Sequence, residues 1–281
     1  MKICDLHTHS NYSDGTLTPT ELVREAAEKH IDALALTDHN TIDGLDEFFA
    51  AGEEYGIETV GGVELTCEYD GAEVHMLGLF VDSSCASEIG AFCSELARSK
   101  YESNVRLVRA LAADGYEIDS IEEIYARSGH GNVNRAHIAE SLITHGYVSS
   151  VSEAFAGILS PERGYYLPPK RPDATETVKL IKRLGGVAVI AHPYLNLTPE
   201  QLGRFLPEAI AAGLDGMETY YSKYPHETHA LARETARRHG LLESGGSDYH
   251  GSRKADISLS APDSFHTPYE VYLSLAKRAA R

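Results

Sequence analysis

The chain contains 14 histidines, and several of them stand close to aspartate or glutamate in the sequence. The groupings are His7-Thr8-His9 with Asp14, Asp38-His39, Glu64, His75, His192, and Asp248-Tyr249-His250. Imidazole and carboxylate ligands without thiolate suit Zn, Mn or Fe, whereas copper(I) and iron–sulfur clusters select sulfur ligands. The residue types therefore predict a centre for divalent metal ions.

The candidate ligands are too many for a single ion. They are six histidines, two aspartates and one glutamate, namely His7, His9, Asp14, His39, Glu64, His75, His192, Asp248 and His250. Because a tetrahedral ion uses about four ligands, we expect two or three divalent ions. Three ions would outweigh the negative charge of the ligands and give a positive site in a chain of net charge −17. Such a site selects small anions, phosphate above all.

Short apolar runs alternate with helical stretches along the parts of the chain that carry these residues. Predicted strands cover residues 2–7, 31–37, 58–65, 73–80, 187–191, 216–221 and 241–244, with helices between most of them. This alternation predicts a parallel sheet covered by helices, either open or closed into a barrel. In both forms ligands gather at the C-terminal ends of the strands. Asp38, Glu64 and His192 each lie at such a predicted end, so we expect the candidate ligands to converge.

One long segment interrupts the alternation. Residues 85–164 contain helical patterns at 85–113, 120–127, 133–145 and 150–158 and no clear strand signal. We therefore predict two domains. Residues 1–84 and 165–281 form the metal-binding domain, and residues 85–164 form a helical insert.

The composition limits the alternatives. Lys and Arg total 25 against 42 Asp and Glu, so no basic groove for long duplex DNA is expected. No apolar run reaches the roughly 20 residues of a membrane span, and residues 1–5 lack the apolar core of a secretory signal. The four cysteines form no C-x-x-C pair. We expect reduced thiols and a cytoplasmic protein without membrane contact.

The ligand segments together resemble those of the PHP (polymerase and histidinol phosphatase) family of metal-dependent phosphoesterases. The similar segments are His7-x-His9, Asp14, Thr37-Asp38-His39, Gly62-Val63-Glu64, His75, Ala191-His192-Pro193 and Gly246-Ser247-Asp248-Tyr249-His250-Gly251. The resemblance implies an α/β fold, a distorted (β/α)7 barrel. It also implies that the helical insert lies over the C-terminal face of the strands.

The resemblance further implies how the ligands are shared among the ions. One ion would be held by His7, His9, Glu64 and Asp248, a second by Glu64, His75 and His192, and a third by Asp14, His39 and His250. Asp38 would act in catalysis by orienting an imidazole; the alternative is a carboxylate that caps the following turn. Glu218, at another predicted strand end, is either such a supporting carboxylate or a buried structural one.

Part of the insert resembles stand-alone PHP phosphoesterases, which act on nucleoside 3′,5′-bisphosphates, short RNA ends or small cyclic phosphodiesters. The similar segments are Asn134-Arg135-Ala136-His137 and Gly164–Pro169. Arg135 would clamp a substrate phosphate. His137 would contact phosphate or give the leaving group a proton, with a metal-bound water as the alternative donor. Lys170 and Arg171 would meet a second phosphate or belong to a solvated loop.

The predicted function is hydrolysis of a small phosphorylated substrate, a nucleotide or sugar phosphate. The preferred reaction removes the 3′-phosphate of a nucleoside 3′,5′-bisphosphate through a hydroxide that bridges two ions. Short RNA ends are a further candidate substrate. The alternatives are a phosphodiesterase for small cyclic or ribose phosphodiesters, a histidinol-phosphate phosphatase, an amidohydrolase that cleaves C–N bonds, and a non-enzymatic interaction module stabilised by metal.

Overall fold

The computed structural model describes residues 2–128 and 133–280. These residues form two compact units. The first unit comprises residues 1–90 and 172–281, and the second comprises residues 91–171. No helix among the described residues is both long and apolar enough to cross a membrane. The four cysteines are buried and free.

Eight strands of the first unit form one sheet. They are β1 (Ile3–Asp5), β2 (Ala33–Leu36), β3 (Glu58–Tyr69), β4 (Ala72–Leu79), β5 (Val187–Ile190), β6 (Gly216–Tyr221), β7 (Leu242–Gly246) and β8 (Thr267–Pro268). The first seven follow one another around the sheet in chain order, and β8 pairs with the outer side of β1. β1, β2 and β5 are buried along their whole length, which agrees with their continuous apolar sequences.

The sheet nearly closes into a barrel where the chain that follows β1 meets the end of β7. The Leu6 N–H donates to the carbonyl of Gly245 at 3.1 Å, and the Asp248 N–H donates to the carbonyl of His7 at 2.9 Å. A further bond joins the His9 N–H to the carbonyl of Tyr249 at 2.9 Å. The distorted barrel implied by the resemblance is thus confirmed, with β8 as a short addition outside the seven predicted strands.

One strand runs against the others. β4 is antiparallel to both β3 and β5, whereas the other neighbouring pairs among β1–β7 are parallel. Asp70 and Gly71 connect β3 to β4 with positive φ angles of 49° and 77°, as a two-residue hairpin of type I′ requires. Because of this reversal, His75 near the start of β4 lies beside the C-terminal end of β5, where the Ala191 N–H donates to its carbonyl.

Eleven helices are described. They are α1 (Pro19–Glu28), α2 (Leu45–Tyr55), α3 (Ala86–Ala113), α4 (Ile121–Arg127), α5 (Arg135–Thr144), α6 (Val151–Ala156), α7 (Ala174–Arg183), α8 (Pro193–Asn196), α9 (Pro199–Ala212), α10 (His226–His239) and α11 (Tyr269–Ala279). Thr18 begins α1 as a capping box with Glu21, as the sequence predicts. The buried side of α1 carries Leu22, Val23 and Ala26.

The second unit is helical and has its own apolar core. Leu107, Leu111, Ile124, Ile138 and Leu142 are buried together there. The unit extends to residue 171, whereas the sequence analysis ends the insert at residue 164. The segment 165–171, which we assigned to the barrel, therefore belongs to this helical unit. The boundary between the two units falls between Gly90 and Ala91, within α3. The sequence analysis predicts no boundary at this position.

Glu64 does not end its strand, contrary to the sequence analysis. β3 continues to Tyr69, and its last residues pair with the start of β4. The apolar pattern stops at Leu65 because Thr66 and Glu68 are only half buried there. The polar half of this hairpin therefore gives a weak strand signal.

We predict that Gly246→Ala weakens the closure of the barrel. A Cβ at this position would lie 2.4 Å from the backbone nitrogen and 2.6 Å from the Cβ of His7, so the two chain segments would have to move apart. The expected loss is about 1–3 kcal/mol of unfolding free energy, typical of overpacking. Urea unfolding followed by circular dichroism measures it.

Gly203→Ala is the matched control, because Gly203 lies inside α9 with no atom within 4 Å of a built Cβ. Alanine there should stabilise the chain by up to about 1 kcal/mol, through helix propensity alone. A Gly246→Ala protein as stable as the parent would show that the closure tolerates a side chain.

Candidate metal centre

The nine predicted ligands all lie in the first unit, and their side chains come together. Three overlapping groups have ligand atoms within 4.8 Å of one another: His7, His9, Glu64 and Asp248; His9, Asp14, His39 and His250; and His39, Glu64 and His75. The first group is the set that the sequence analysis assigns to one ion. His192 joins the cluster through its Nε2 atom, which lies 3.2 Å from Glu64 Oε1.

Glu64 is the centre of this arrangement. Its Oε2 atom lies 3.2 Å from His7 Nε2, 3.3 Å from His9 Nε2 and 3.2 Å from His39 Nδ1. Its Oε1 atom lies 2.8 Å from His75 Nδ1. A carboxylate whose two oxygens face two different sets of imidazoles has the geometry of a ligand shared between two ions.

The donor atoms suit metal ions because many of them have no hydrogen-bond partner. Among the described residues, several buried nitrogens and oxygens of the cluster have no hydrogen-bond partner: His7 Nε2, His9 Nδ1 and Nε2, Asp14 Oδ1, His39 Nδ1, Glu64 Oε2 and His250 Nε2. Buried polar atoms without a partner are rare in native proteins and call for an explanation. Divalent ions would satisfy these atoms together.

Protonation of the imidazoles partly balances the buried carboxylates of the metal-free chain. Burial disfavours the charged form of His75, but the charge of Glu64 outweighs this and raises the pKa of His75 to about 10. Burial likewise opposes the charge on His9, yet the neighbouring carboxylates of Asp248 and Glu64 raise its pKa to about 9. Burial lowers the pKa of His39 to about 3. Metal binding must therefore displace protons from some of these ligands.

Glu218 orients two of the ligands. This fully buried carboxylate on β6 accepts the backbone N–H of His192 at 2.6 Å, and its other oxygen lies 3.0 Å from His7 Nδ1. Carboxylates that bind the second nitrogen of a metal-ligating histidine fix the ring and its tautomer. Of the two roles weighed for Glu218 from the sequence, the supporting role is the one whose contacts are present.

His192 itself has an unusual backbone. Its φ of 27° lies in the left-handed region, where residues other than glycine are uncommon. The hydrogen bond to Glu218 and a 2.6 Å contact between its Nδ1 atom and Asn196 Oδ1 hold it in place. These contacts leave Nε2 directed to Glu64. Strain of this kind persists where the surroundings determine the conformation, as they do at functional sites.

The hydrogen bonds of Asp38 favour the second of the two roles that the sequence left open. Its carboxylate accepts the Ser10 N–H at 2.8 Å, the Ser10 hydroxyl at 2.6 Å and the Ser13 hydroxyl at 2.5 Å. These are the bonds of a carboxylate that caps a turn, the alternative that the sequence left open. Asp38 thus supports the loop that carries Asp14, and the hydrogen bonds of its oxygens within the described chain go to serines.

The predicted phosphate-binding residues all lie in the second unit. Arg135 is the first residue of α5, and its guanidinium carbon lies 4.1 Å from the ring centre of Tyr166 and 5.1 Å from that of Phe155. His137 is the third residue of the helix, which Asn134 caps. The segment is therefore regular helix, so Arg135 and His137, two positions apart, do not share a face.

Two supporting residues were missed from the sequence. Asn196 contacts His192, and Glu73 Oε1 lies 3.1 Å from His75 Nε2. Glu73 stands two positions before His75 on one strand, a spacing that places both side chains on the same face. This spacing could have identified Glu73 from the sequence. The contact of Asn196 depends on the turn after β5, which the sequence does not predict.

The comparisons with known proteins identify the family of the chain. The PHP domain family matches residues 5–161. This chain belongs to the PHP domain family. In this PHP protein the matched range includes the ligands from His7 to His75, whereas His192, Asp248 and His250 lie beyond it.

Three curated relatives cover most of the PHP chain. A 5′-3′ exoribonuclease of Haemophilus influenzae is 33% identical over 88% of this chain and 89% of its own length. A phosphoribosyl 1,2-cyclic phosphate 1,2-diphosphodiesterase of Eggerthella lenta is 31% identical over 88% and 94%. A 3′,5′-nucleoside bisphosphate phosphatase of Chromobacterium violaceum is 32% identical over 89% and 88%.

A solved structure supports the same assignment. It is described as a proposed metal-dependent phosphoesterase of Bifidobacterium adolescentis and has a TM-score of 0.81 and 31% sequence identity to this chain. The match covers 99% of this chain and 96% of the other. The PHP chain is therefore similar in fold over its whole length to a protein assigned to this chemistry.

We predict that Glu64→Gln abolishes binding of more than one ion. The amide keeps the shape of the side chain but loses the charge that faces imidazoles on both sides. The parent chain, stripped with a chelator and refilled with Mn²⁺, should melt at a higher temperature, because binding to the native state adds stability. The variant should show little of this increase. Metal analysis and differential scanning calorimetry measure the two effects.

Glu58→Gln is the matched control, because Glu58 lies at the exposed start of the same strand. It should bind the same number of ions as the parent. A Glu64→Gln protein that holds its full complement of Mn²⁺ would contradict a shared role for Glu64.

Proposed function

We propose that this PHP protein is a metal-dependent phosphoesterase whose preferred substrate is a nucleoside 3′,5′-bisphosphate, from which it removes the 3′-phosphate. The observation that carries the proposal is the buried cluster of carboxylates and imidazoles around Glu64, with ligand atoms that have no other partner. Divalent ions bound there would supply an activated water and positive charge on the phosphoryl oxygens.

The names of the curated relatives support this substrate class. An exoribonuclease, a phosphoribosyl cyclic phosphate diesterase and a nucleoside bisphosphate phosphatase all act on phosphate esters of ribose. A ribose phosphate is therefore the substrate class common to the three. We assign the bisphosphate to this chain because Arg135, Lys170 and Arg171 are cations suited to phosphate.

Within the first unit, the chain's own residues would hold and orient the reacting centre. Glu64 would be shared between two ions, and Asp14, His39 and His250 would hold a third. Asp14 Oδ1 lies 3.2 Å from His250 Nε2 and 3.9 Å from His39 Nε2, which suits a common ligand role. Glu218 would keep His7 in the tautomer that presents Nε2 to an ion.

Arg135 is the proposed phosphate clamp. Its guanidinium lies over two aromatic rings, so its plane is fixed before a ligand arrives. A fixed guanidinium offers two parallel N–H donors to phosphate, which a lysine cannot do. His137 is the proposed proton donor to the leaving group. Lys170 and Arg171 are the proposed contacts of the second phosphate, and Lys170 is exposed.

The test is a panel of substrates on the Mn²⁺-loaded chain. Release of inorganic phosphate from adenosine 3′,5′-bisphosphate, with the 5′-monophosphate as product, is the expected outcome. A phosphoribosyl cyclic phosphate, a short 5′-phosphorylated RNA and histidinol phosphate complete the panel. Faster turnover of the cyclic diester would replace the substrate while leaving the phosphoesterase chemistry in place. No hydrolysis of any ester by the loaded chain would reject the proposal in favour of a binding module.

We predict that Arg135→Ala raises KM and lowers kcat/KM for a nucleoside bisphosphate by about 10–150-fold, the usual cost of losing a hydrogen bond to a charged group. The metal content should not change, since Arg135 is not a predicted ligand. Arg135→Lys should restore little, because the planar stack is lost. Steady-state kinetics with metal analysis measure both effects.

Arg109→Ala serves as the control for charge, because Arg109 is an exposed cation on α3. Its kinetics should match those of the parent. Equal kinetics for Arg135→Ala and Arg109→Ala would show that Arg135 is an ordinary solvated charge.

A further inference from the structure

Asp248 uses its two carboxylate oxygens for different partners. Oδ1 lies 3.2 Å from His9 Nε2 and 3.7 Å from His7 Nε2, so it faces the cluster. Oδ2 accepts one hydrogen bond from the Tyr221 hydroxyl at 2.9 Å and another from the Lys254 ammonium at 2.9 Å. The second oxygen is therefore engaged by the protein itself.

The rest of Asp248 is also fixed. Its φ of 59° lies in the left-handed region, and its N–H is bonded to the carbonyl of His7. Tyr221 is 3% exposed, and burial together with the charge of Asp248 raises the pKa of its hydroxyl, which stays a neutral donor. The orientation of the carboxylate is thus determined by the backbone and by these two side chains.

Lys254 is an unexpected neighbour for a metal ligand. Within the described residues it is the single lysine or arginine that pairs with any of the three cluster carboxylates, Asp14, Glu64 and Asp248. A fixed positive charge beside bound divalent ions repels them. Lys254 would therefore weaken the binding of such ions electrostatically, and its presence calls for another explanation.

We propose that Tyr221 and Lys254 are positioning residues that keep Asp248 Oδ2 occupied, so that Asp248 offers a single oxygen to an ion. This inference rests on the metal centre of the proposed function. The ion next to Asp248 would then have one ligand atom each from His7, His9, Glu64 and Asp248. A second oxygen from Asp248 would occupy a position that water or substrate needs, and catalytic metal sites keep such a position open.

The position of Lys254 provides a matched control. It is the last residue of the short turn Gly251–Lys254 that follows β7. Arg253, its neighbour in this turn, is exposed, and Asp248 is not among its described contacts. Lys254→Met and Arg253→Met therefore change the net charge equally, but only the first removes a hydrogen bond to Oδ2. Tyr221→Phe releases one hydrogen bond without any change of charge.

The experiment measures Mn²⁺ retention by the full chain against increasing concentrations of a chelator. In Lys254→Met, one ion per chain should bind about 10-fold more tightly, because Oδ2 becomes a ligand and a repelling charge is removed. Tyr221→Phe should shift the same ion in the same direction by about 3-fold, and Arg253→Met by less than about 2-fold. The tighter binding should accompany a lower kcat on bis(p-nitrophenyl) phosphate.

Cobalt gives an independent signature. In the Co²⁺-loaded Lys254→Met chain, the visible absorption should weaken, because added ligands lower the intensity of the cobalt bands. Looser Mn²⁺ binding in Lys254→Met would overturn the inference, because it would show that Lys254 holds Asp248 in place for metal binding. Unchanged binding with a raised KM would also overturn it and make Lys254 a substrate contact. Equal shifts of the Mn²⁺ affinity in Lys254→Met and Arg253→Met would also overturn it, because the effect would then come from the net charge alone.

The result is separable from the proposed function. A chain that shows the expected order of Mn²⁺ affinities but hydrolyses no phosphate ester rejects the function and leaves the role of Lys254 standing. A chain that hydrolyses the bisphosphate without a change of affinity in Lys254→Met rejects the inference alone.

Discussion

Glu64 imposes the main constraint on this fold, because a buried carboxylate is stable only among groups that compensate its charge. Imidazole nitrogens of His7, His9, His39, His75 and His192 lie within 3.3 Å of its two oxygens. These histidines come from the loops after β1, β2 and β5 and from the start of β4, so the barrel must bring four segments to one point. The near-closure of the sheet and the reversal of β4 both serve this convergence.

The cluster of candidate ligands was predictable from the sequence, whereas the residues that support it were less so. The candidate ligands are histidines and carboxylates, and their close spacing along the chain marks them. A supporting residue needs only one hydrogen bond at the right place, which many residue types supply. Asp38, which is adjacent to a ligand, caps a turn instead, and Glu218 on β6 orients His7 across the barrel. Spatial proximity, not sequence proximity, decides which carboxylate performs this task.

The elements of the fold likewise differ in how well the sequence predicts them. Strands buried on both faces give continuous apolar runs, so β2 and β5 were predicted at nearly their observed places. The predicted parallel sheet was wrong for β4, which is antiparallel to both of its neighbours, because an apolar run in the sequence does not show the direction of a strand. Only the two-residue turn at Asp70-Gly71 reveals the hairpin, and this signal is local and easily overlooked. The second unit, with its separate apolar core, was predicted as helical because helix periodicity needs no partner from elsewhere in the chain.

The contact between the segment after β1 and the end of β7 has a consequence for how the protein acquires its metal. His7 and His9 are synthesised about 240 residues before Asp248 and His250. Until residue 248 has been synthesised, a nascent chain carries only part of the group formed by His7, His9, Glu64 and Asp248, and until residue 245 it lacks the hydrogen bond between Leu6 and Gly245. The group of His7, His9, Glu64 and Asp248 is therefore complete only after residue 248 has been synthesised, whereas His39, Glu64 and His75 are all synthesised much earlier.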